Sequence, residues 1–173
     1  MGLPHLQGRL VRLRPLVEAD RDRVVEMRRS EEVARRWRGD DLAEEFTNDL
    51  AEDELHQFAI ETADRVVVGM IQFSEEDEPD YRHASIDLYV DPAFHRRGIA
   101  TDAISILVDD LFDRRGHHRL IIDPAADNEA AIGCYRKVGF QPVGVMRRYE
   151  RRTDGTWADG LLMDMLISDR RIT

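Results

Sequence analysis

The sequence predicts one α/β domain over residues 1–173, built around a mixed central sheet. Two observations lead to this prediction. Apolar residues recur with a period of two in some segments and about 3.6 in others, in the order β, α, α, β, β, β, α, β, α, β, β. The chain also has 42% hydrophobic and 35% charged residues without a repeat or a Pro/Gly/Ser-rich linker, a composition typical of one compact domain.

The N-terminal third contains one predicted strand and two predicted helices. Residues 9–14 alternate leucines with arginines, which predicts a first strand at the edge of the sheet. Apolar residues at helical spacing predict helices over residues 18–29 and 44–55. A loop at residues 37–41, which contains Trp37, is expected between them.

Three strands follow in the middle of the chain. Residues 56–61 and 66–73 predict adjacent antiparallel strands joined by a hairpin at 62–65, and residues 74–80 predict an acidic loop. Residues 84–90 form the third strand, which alternates between an apolar and a more polar face. The apolar face carries Ile86, Leu88 and Val90, and the other face carries Ser85, Asp87 and Tyr89.

The C-terminal half continues the alternation of helices and strands. Helical spacing predicts helices over residues 98–113 and 128–138, with Gly139 as the C-terminal cap of the second. A short apolar run at 120–122 predicts a buried strand. The last predicted elements are two strands joined across the Asp154-Gly155 turn signal, at residues 140–152 and 161–167.

Charge and composition argue against several classes of function. The chain has 25 Lys and Arg against 35 Asp and Glu, and a net charge of -10 disfavours a nucleic-acid partner and suits a small cationic one. Neither a secretory leader nor a membrane-spanning apolar run is present, so we expect a cytoplasmic protein without membrane contact. Cys134 has no partner for an internal disulfide, and no Cys or His shows metal-ligand spacing, so no metal is predicted.

A basic, glycine-containing turn joins the strand at 84–90 to the helix at 98–113. The first N–H groups of a helix have no intrahelical acceptor, and the helix dipole adds positive charge, so such a turn can hold a pyrophosphate. Gly98 would keep the approach open, while Arg96 and Arg97 add positive charge. The alternative is an ordinary helix N-terminus with solvated arginines.

Two segments together resemble the GNAT superfamily of N-acetyltransferases. The first signature of that family is Gln or Arg, two residues, Gly, one residue, then Gly or Ala. Gly98 and Ala100 match it, whereas His95 stands where Gln or Arg is usual. The second signature resembles residues 128–140, which keep its Asn, Ala, Tyr and Gly-Phe in register.

This resemblance implies acetyl-coenzyme A as the cofactor. It also implies a mixed, mostly antiparallel central sheet flanked by helices, which splays between the strands near 84–90 and 118–123. It also implies that Tyr135 is the general acid that protonates the departing thiolate. The cofactor-binding residues that follow from it are Leu88, Tyr89, Val90, His95, Arg96, Arg97, Gly98, Ile99, Ala100, Thr101, Asn128 and Tyr135. Alternatively, Asn128 only caps its helix and Tyr135 only packs at its base.

The acceptor amine needs a carboxylate that binds its ammonium form and takes its proton. Asp87 is the candidate, because it lies on the strand that enters the turn and faces away from Ile86 and Leu88. The alternative is a carboxylate on a solvated strand face. An acetyl-cysteine at Cys134 is disfavoured, since no His is placed by the sequence to activate it.

A narrower resemblance, carried by Ile86-Asp87 and residues 123–140, is to the aminoglycoside 6'-N-acetyltransferases. It implies that Asp87 is the catalytic carboxylate, that Asp123 binds substrate amines and that a loop containing Trp37 lines the substrate cleft. The acidic run at 74–80 fits a polycationic ligand or a solvated hairpin tip equally well. Further candidates for substrate binding are Glu75 and Glu76 in that run and Asp159 near the last strand.

The sequence therefore predicts direct transfer of an acetyl group to a primary amine in a ternary complex, with Asp87 as base and Tyr135 as acid. The leading acceptor is the 6'-amino group of an aminoglycoside antibiotic, with resistance as the implied role. Alternative acceptors are a protein N-terminus, an amino acid or a polyamine, and a third hypothesis is an acyl-coenzyme A binding module without catalysis. The sequence leaves monomer and homodimer open.

Overall fold

The computed structural model describes residues 2–170, which form one eight-stranded sheet with helices on both faces. The strands are β1 (Leu6–Gln7), β2 (Val11–Pro15), β3 (Leu55–Thr62), β4 (Val67–Glu76), β5 (His83–Val90), β6 (Arg119–Ile122), β7 (Gln141–Arg151) and β8 (Trp157–Leu166). The α-helices are α1 (Arg21–Arg28), α2 (Glu31–Arg36), α3 (Leu42–Ala51), α4 (Ile99–Asp113) and α5 (Glu129–Val138). The predicted α/β class is confirmed.

The sheet is antiparallel except at one junction. Its strand order is β1-β2-β3-β4-β5-β6-β8-β7, and β5 with β6 is the parallel pair. These two strands share only the register pairs Ala84↔Leu120 and Ser85↔Ile121, after which β5 continues to Val90 paired with β4 but not with β6. The predicted splay is therefore confirmed, and it opens a gap between the C-terminal halves of β5 and β6.

Two hydrophobic cores cover the two faces of the sheet. On one face Ile86, Leu88 and Val90 pack with α4 and α5, whose buried residues include Leu107 and Tyr135. On the other face the helices α1 to α3 cover the sheet, and the buried residues of this second core are Leu16, Val24, Met27, Val33, Phe46, Ala59, Val67, Met70 and Tyr89. Both faces of β5 are thus largely buried, and Asp87 is the exposed exception on this strand.

Several sequence-based predictions of element positions differ from the structure. β2 is not the edge strand, because the short β1 pairs outside it through Leu6↔Leu13. The helix α2 was missed because Val33 is its sole buried residue, so it has no apolar period; Ser30 begins it by accepting a hydrogen bond from the Val33 N–H. The acidic loop also begins later than predicted, since residues 74–76 extend β4 and pair with residues 83–85.

Candidate active site

The turn between β5 and α4 has the geometry of an anion site. Arg96 and Gly98 both adopt left-handed backbone conformations, with φ of 60° and 78°. They bend the chain sharply, so that α4 begins at Ile99, directly after β5 and a short 3-10 turn. Within residues 2–170, no hydrogen bond uses the amides of residues 96–101. These amides therefore remain candidates for binding a pyrophosphate.

The His95 side chain makes contacts within the protein. Its Nε2 lies 2.8 Å from the carbonyl oxygen of Val90, and its Nδ1 lies 3.2 Å from Glu32 Oε1. His95 thus connects the turn to the end of β5 and to α2. A side-chain contact with the cofactor would break these bonds, so we retain only its backbone as a candidate.

Backbone amides of β5 face the gap between β5 and β6. The Asp91 N–H donates to the Val68 carbonyl across the β4 ladder at 2.8 Å. Because hydrogen-bonding direction alternates along a strand, the N–H groups of Leu88 and Val90 point away from β4. The Leu88 N–H donates to Asp87 Oδ1 at 2.9 Å. This leaves the Val90 amide as the better candidate to polarise a thioester carbonyl, while Tyr89 points its backbone groups toward β4.

Asp87 lies in a cleft with two other carboxylates, those of Asp123 after β6 and Glu150 on β7. Its side chain retains accessible surface, yet protein surrounds it on most sides. This burial, together with the charges of Asp123 and Glu150, raises the pKa of Asp87 to about 7, although a hydrogen bond from the Leu88 N–H opposes the shift. Such a carboxylate can both release and accept a proton near neutral pH.

Tyr135, the predicted general acid, lies in the core within electrostatic range of Asp87. Its side chain is buried in α5, and burial raises the pKa of its hydroxyl, with a further contribution from the charge of Asp87. The hydroxyl therefore stays protonated at neutral pH. The influence of Asp87 on this pKa also shows that the two predicted catalytic side chains lie within electrostatic range of each other.

α5 carries polar groups at its N-terminus and on the side that contacts α4. Asn128 caps the helix, because its side-chain oxygen accepts from the Ala131 N–H at 3.3 Å, and its amide NH₂ can still donate to a ligand. Cys134 Sγ lies 3.3 Å from Thr101 Oγ1, which joins α5 to the first turn of α4. Burial raises the pKa of the Cys134 thiol, which disfavours the thiolate that a covalent mechanism would need.

Trp37 takes part in the second core. Its ring packs edge-on against Tyr89, with ring centroids 5.0 Å apart. The Trp37 side chain is half-buried, and that of Tyr89 is buried. This contact fixes the end of α2 against β5, and a role of Trp37 in substrate binding is a proposal.

The Glu75 carboxylate is bound by other side chains of the protein. It is therefore not the free substrate-binding acid that the sequence predicts. Arg115 Nη1 lies 2.5 Å from Glu75 Oε2, and His117 Nε2 lies 2.6 Å from Oε1. Burial alone would raise the pKa of Glu75, but the hydrogen bond with His117 and the charge of Arg115 outweigh it and lower the pKa. Glu75 is therefore a structural residue, and the exposed Glu76 pairs in register with His83, near the same end of the sheet.

We expect Glu75→Gln to destabilise the protein by about 1–3 kcal/mol at pH 7, because Arg115 and His117 lose a buried anionic partner. A carboxylate with a lowered pKa stabilises the fold above its unfolded pKa of about 4.3, and this contribution is lost as the pH falls through the folded value. Urea denaturation should thus show a smaller difference at pH 4 than at pH 7. The exposed Glu76→Gln is the control, and equal effects of both changes would contradict the assignment.

Asp159 supports the backbone of the neighbouring strand. Its Oδ1 accepts a hydrogen bond from the Arg148 N–H at 2.7 Å. It therefore acts in the structure as a backbone partner, and the predicted direct contact with substrate finds no support in this geometry.

Sequence analysis did not identify two residues near Asp123, because it treated both only as members of a strand. The Tyr149 hydroxyl donates to Asp123 Oδ2 at 2.5 Å, and Glu150 adds its charge to the cleft. No local pattern marks either residue, because an irregularity in the pairing of β7 with β8 brings them there.

The rim of the cleft carries charges of both signs. Arg36 at the end of α2 binds Asp127 with an N–O distance of 2.7 Å, and Arg152 after β7 pairs with the same carboxylate. A surface cleft of about 230 Å³ opens between these residues and Glu150. α2 and the β7–β8 hairpin therefore lie on two sides of a surface cleft that also contains Glu150.

Comparison with known proteins identifies the family of the chain. The model of the GNAT acetyltransferase domain matches residues 10–141, so the chain belongs to the GNAT acetyltransferase family. Acetyl-coenzyme A is the cofactor of these enzymes, which agrees with the cofactor predicted from the sequence.

Individual relatives cover different parts of the chain. The [ribosomal protein bS18]-alanine N-acetyltransferase of Escherichia coli K12 is 34% identical over 82 residues, which are 47% of this chain and 54% of the relative. The chain thus spans about half the length of that curated relative. Spermidine N(1)-acetyltransferase of the same organism is 28% identical over 141 residues, or 78% of this chain and 74% of the relative.

A solved structure supports the fold over nearly the whole chain. Spermidine N-acetyltransferase from Vibrio cholerae, solved in complex with CoA and spermine, superposes with a TM-score of 0.81 at 20% identity. The match covers 92% of this chain and 97% of that one.

Two further findings concern the described residues alone. No helix within residues 2–170 is long and apolar enough to cross a membrane. In the same part of the chain, no three His, Cys, Asp or Glu side chains form a group that could hold a metal ion.

Proposed function

We propose that this protein transfers the acetyl group of acetyl-coenzyme A directly to a primary amine of a small polycation, with the 6'-amino group of an aminoglycoside as the leading acceptor. The observation that carries the proposal is Asp87, a carboxylate with a pKa of about 7 beside the gap in the sheet. A base with this pKa can deprotonate an amine near neutral pH without being permanently protonated itself.

The residues divide the chemistry between them. Acetyl-coenzyme A supplies the thioester, and the amides of residues 96–101 with the Asn128 side chain would hold it along the turn and α5. Asp87 would accept the proton of the bound ammonium, and the Val90 N–H would stabilise negative charge that develops on the carbonyl oxygen. The Tyr135 hydroxyl would give its proton to the departing sulfur.

The acceptor cleft favours a substrate with more than one ammonium group. Asp87 serves the reacting amine, and Asp123 and Glu150 supply two further carboxylates near it. The aminoglycoside proposal rests on these carboxylates and on the resemblance of Ile86-Asp87 and residues 123–140. A linear polyamine is the second candidate, favoured by the spermidine N(1)-acetyltransferase match over 78% of the chain.

The test is a steady-state assay of thiol release with kanamycin, spermidine and an alanine-initiated peptide compared in parallel. We expect turnover in the order kanamycin, spermidine, peptide, because the first two can engage several carboxylates. Intersecting initial-rate plots are expected for a ternary complex. Efficient turnover of the peptide alone would overturn the polycation proposal, and tight coenzyme A binding without turnover of any amine would indicate a non-catalytic binding module.

A further inference from the structure

β7 contains a bulge at the side of the acceptor cleft. Met146 pairs with Gly160 and Glu150 with Ala158, so residues 147–149 lie opposite the single residue Asp159. Arg148, in the middle of the bulge, has a left-handed φ of 51°, which is unusual for a residue other than glycine. Bulges of this kind redirect side chains near functional sites.

Two contacts from β8 hold the bulge in place. The Asp159 carboxylate accepts from the Arg148 N–H at 2.7 Å, which stabilises the left-handed residue. The Tyr149 ring lies across Gly160, where an added Cβ would be 2.8 Å from Tyr149 Cδ1. A larger residue at position 160 would displace the ring. The glycine at this position of β8 therefore leaves room for Tyr149.

The bulge delivers the Tyr149 hydroxyl to Asp123. The hydroxyl donates to Asp123 Oδ2 at 2.5 Å, while the side chain of Tyr149 stays about half exposed in the cleft, with 51% of its surface accessible. This hydrogen bond, with burial and the charge of Asp123, raises the pKa of Tyr149 to about 12, so the hydroxyl remains a donor at neutral pH. An ammonium group that binds Asp123 must compete with it.

We propose that Tyr149 determines acceptor specificity: its hydroxyl engages Asp123 in the free protein, and a second ammonium group of the acceptor displaces it. The inference rests on the proposed function and adds a residue that the catalytic steps do not use. An amine with a single charge reacts at Asp87 and leaves the Tyr149 bond intact. A diamine gains an ion pair with Asp123 but breaks the hydrogen bond between Tyr149 and Asp123. Tyr149 therefore reduces the preference for diamines over monoamines.

The test compares kcat/KM for 1,4-diaminobutane with kcat/KM for 1-aminobutane at saturating acetyl-coenzyme A. We expect Tyr149→Phe to raise this ratio about tenfold, equivalent to about 1.4 kcal/mol, because the diamine no longer displaces a hydrogen bond. Tyr81→Phe is the matched control, since Tyr81 is 73% exposed and lies in the loop before β5. In an Asp123→Asn background, Tyr149→Phe should leave the ratio unchanged.

An unchanged ratio in Tyr149→Phe, or a parallel fall for both amines, would overturn the inference. Calorimetric titration of the two amines into the coenzyme A complex tests the specificity role of Tyr149 separately from the proposed function. Tighter diamine binding to Tyr149→Phe without turnover by any variant would support the specificity role and overturn catalysis. Turnover with identical diamine binding in wild type and Tyr149→Phe would overturn the specificity role alone.

Discussion

Asp87→Asn is expected to lower kcat by about 10²–10⁴-fold, the range for loss of a general base. The amide has nearly the shape of the carboxylate but cannot accept the ammonium proton. Because the amides at the N-terminus of α4 are contributed by another segment, the affinity for acetyl-coenzyme A should stay near the wild-type value. Steady-state thiol release and calorimetric titration with coenzyme A measure the two quantities.

The pH profile tests the same residue independently. Wild-type kcat/KM should fall as the pH drops below about 7, because Asp87 becomes protonated and can no longer act as a base. Asp87→Asn should lose this dependence along with its activity, while Asp64→Asn, an exposed change in the β3–β4 hairpin, should keep both. Turnover by Asp87→Asn close to the wild-type value across pH 6 to 9 would exclude Asp87 as the base.

Local pattern predicted most of the sheet and the position of the turn between β5 and α4. The alternation in β5 and the helical period in α4 are repeated signals. In both elements the apolar residues are buried on the side that the pattern indicates. β1 and α2 carry no such signal. β1 has two residues, and α2 buries only Val33. Both elements therefore depend on tertiary contacts, which a local sequence pattern does not contain.

The acceptor cleft was predictable only in part, for a similar reason. Asp87 and Asp123 follow from the strand alternation and the family resemblance. Glu75 looked like a free acid in sequence, but Arg115 and His117 are brought to it from the end of α4, forty residues or more along the chain. Tyr149 reaches Asp123 through a bulge whose register depends on β8, and a single strand pattern does not contain that information.

Gly98→Val should weaken acetyl-coenzyme A binding by at least about tenfold, which corresponds to about 1.4 kcal/mol. Gly98 has a φ of 78°, and an added Cβ would lie 3.3 Å from Leu10 Cδ1. A branched side chain therefore strains the turn and covers the approach to the amides of residues 96–101. The KM for acetyl-coenzyme A and the thermal midpoint are the measurements.

A matched change separates this effect from backbone strain. Gly116, just beyond the other end of α4, has a similar φ of 69° but no atom within 4 Å of an added Cβ. Gly116→Val and Gly98→Val should each lose about 1–2 kcal/mol of stability, the cost of a left-handed conformation for a residue with a side chain. Only Gly98→Val should raise the KM for acetyl-coenzyme A. Equal KM values for the two variants would mean that the cofactor phosphates bind elsewhere than at the α4 N-terminus.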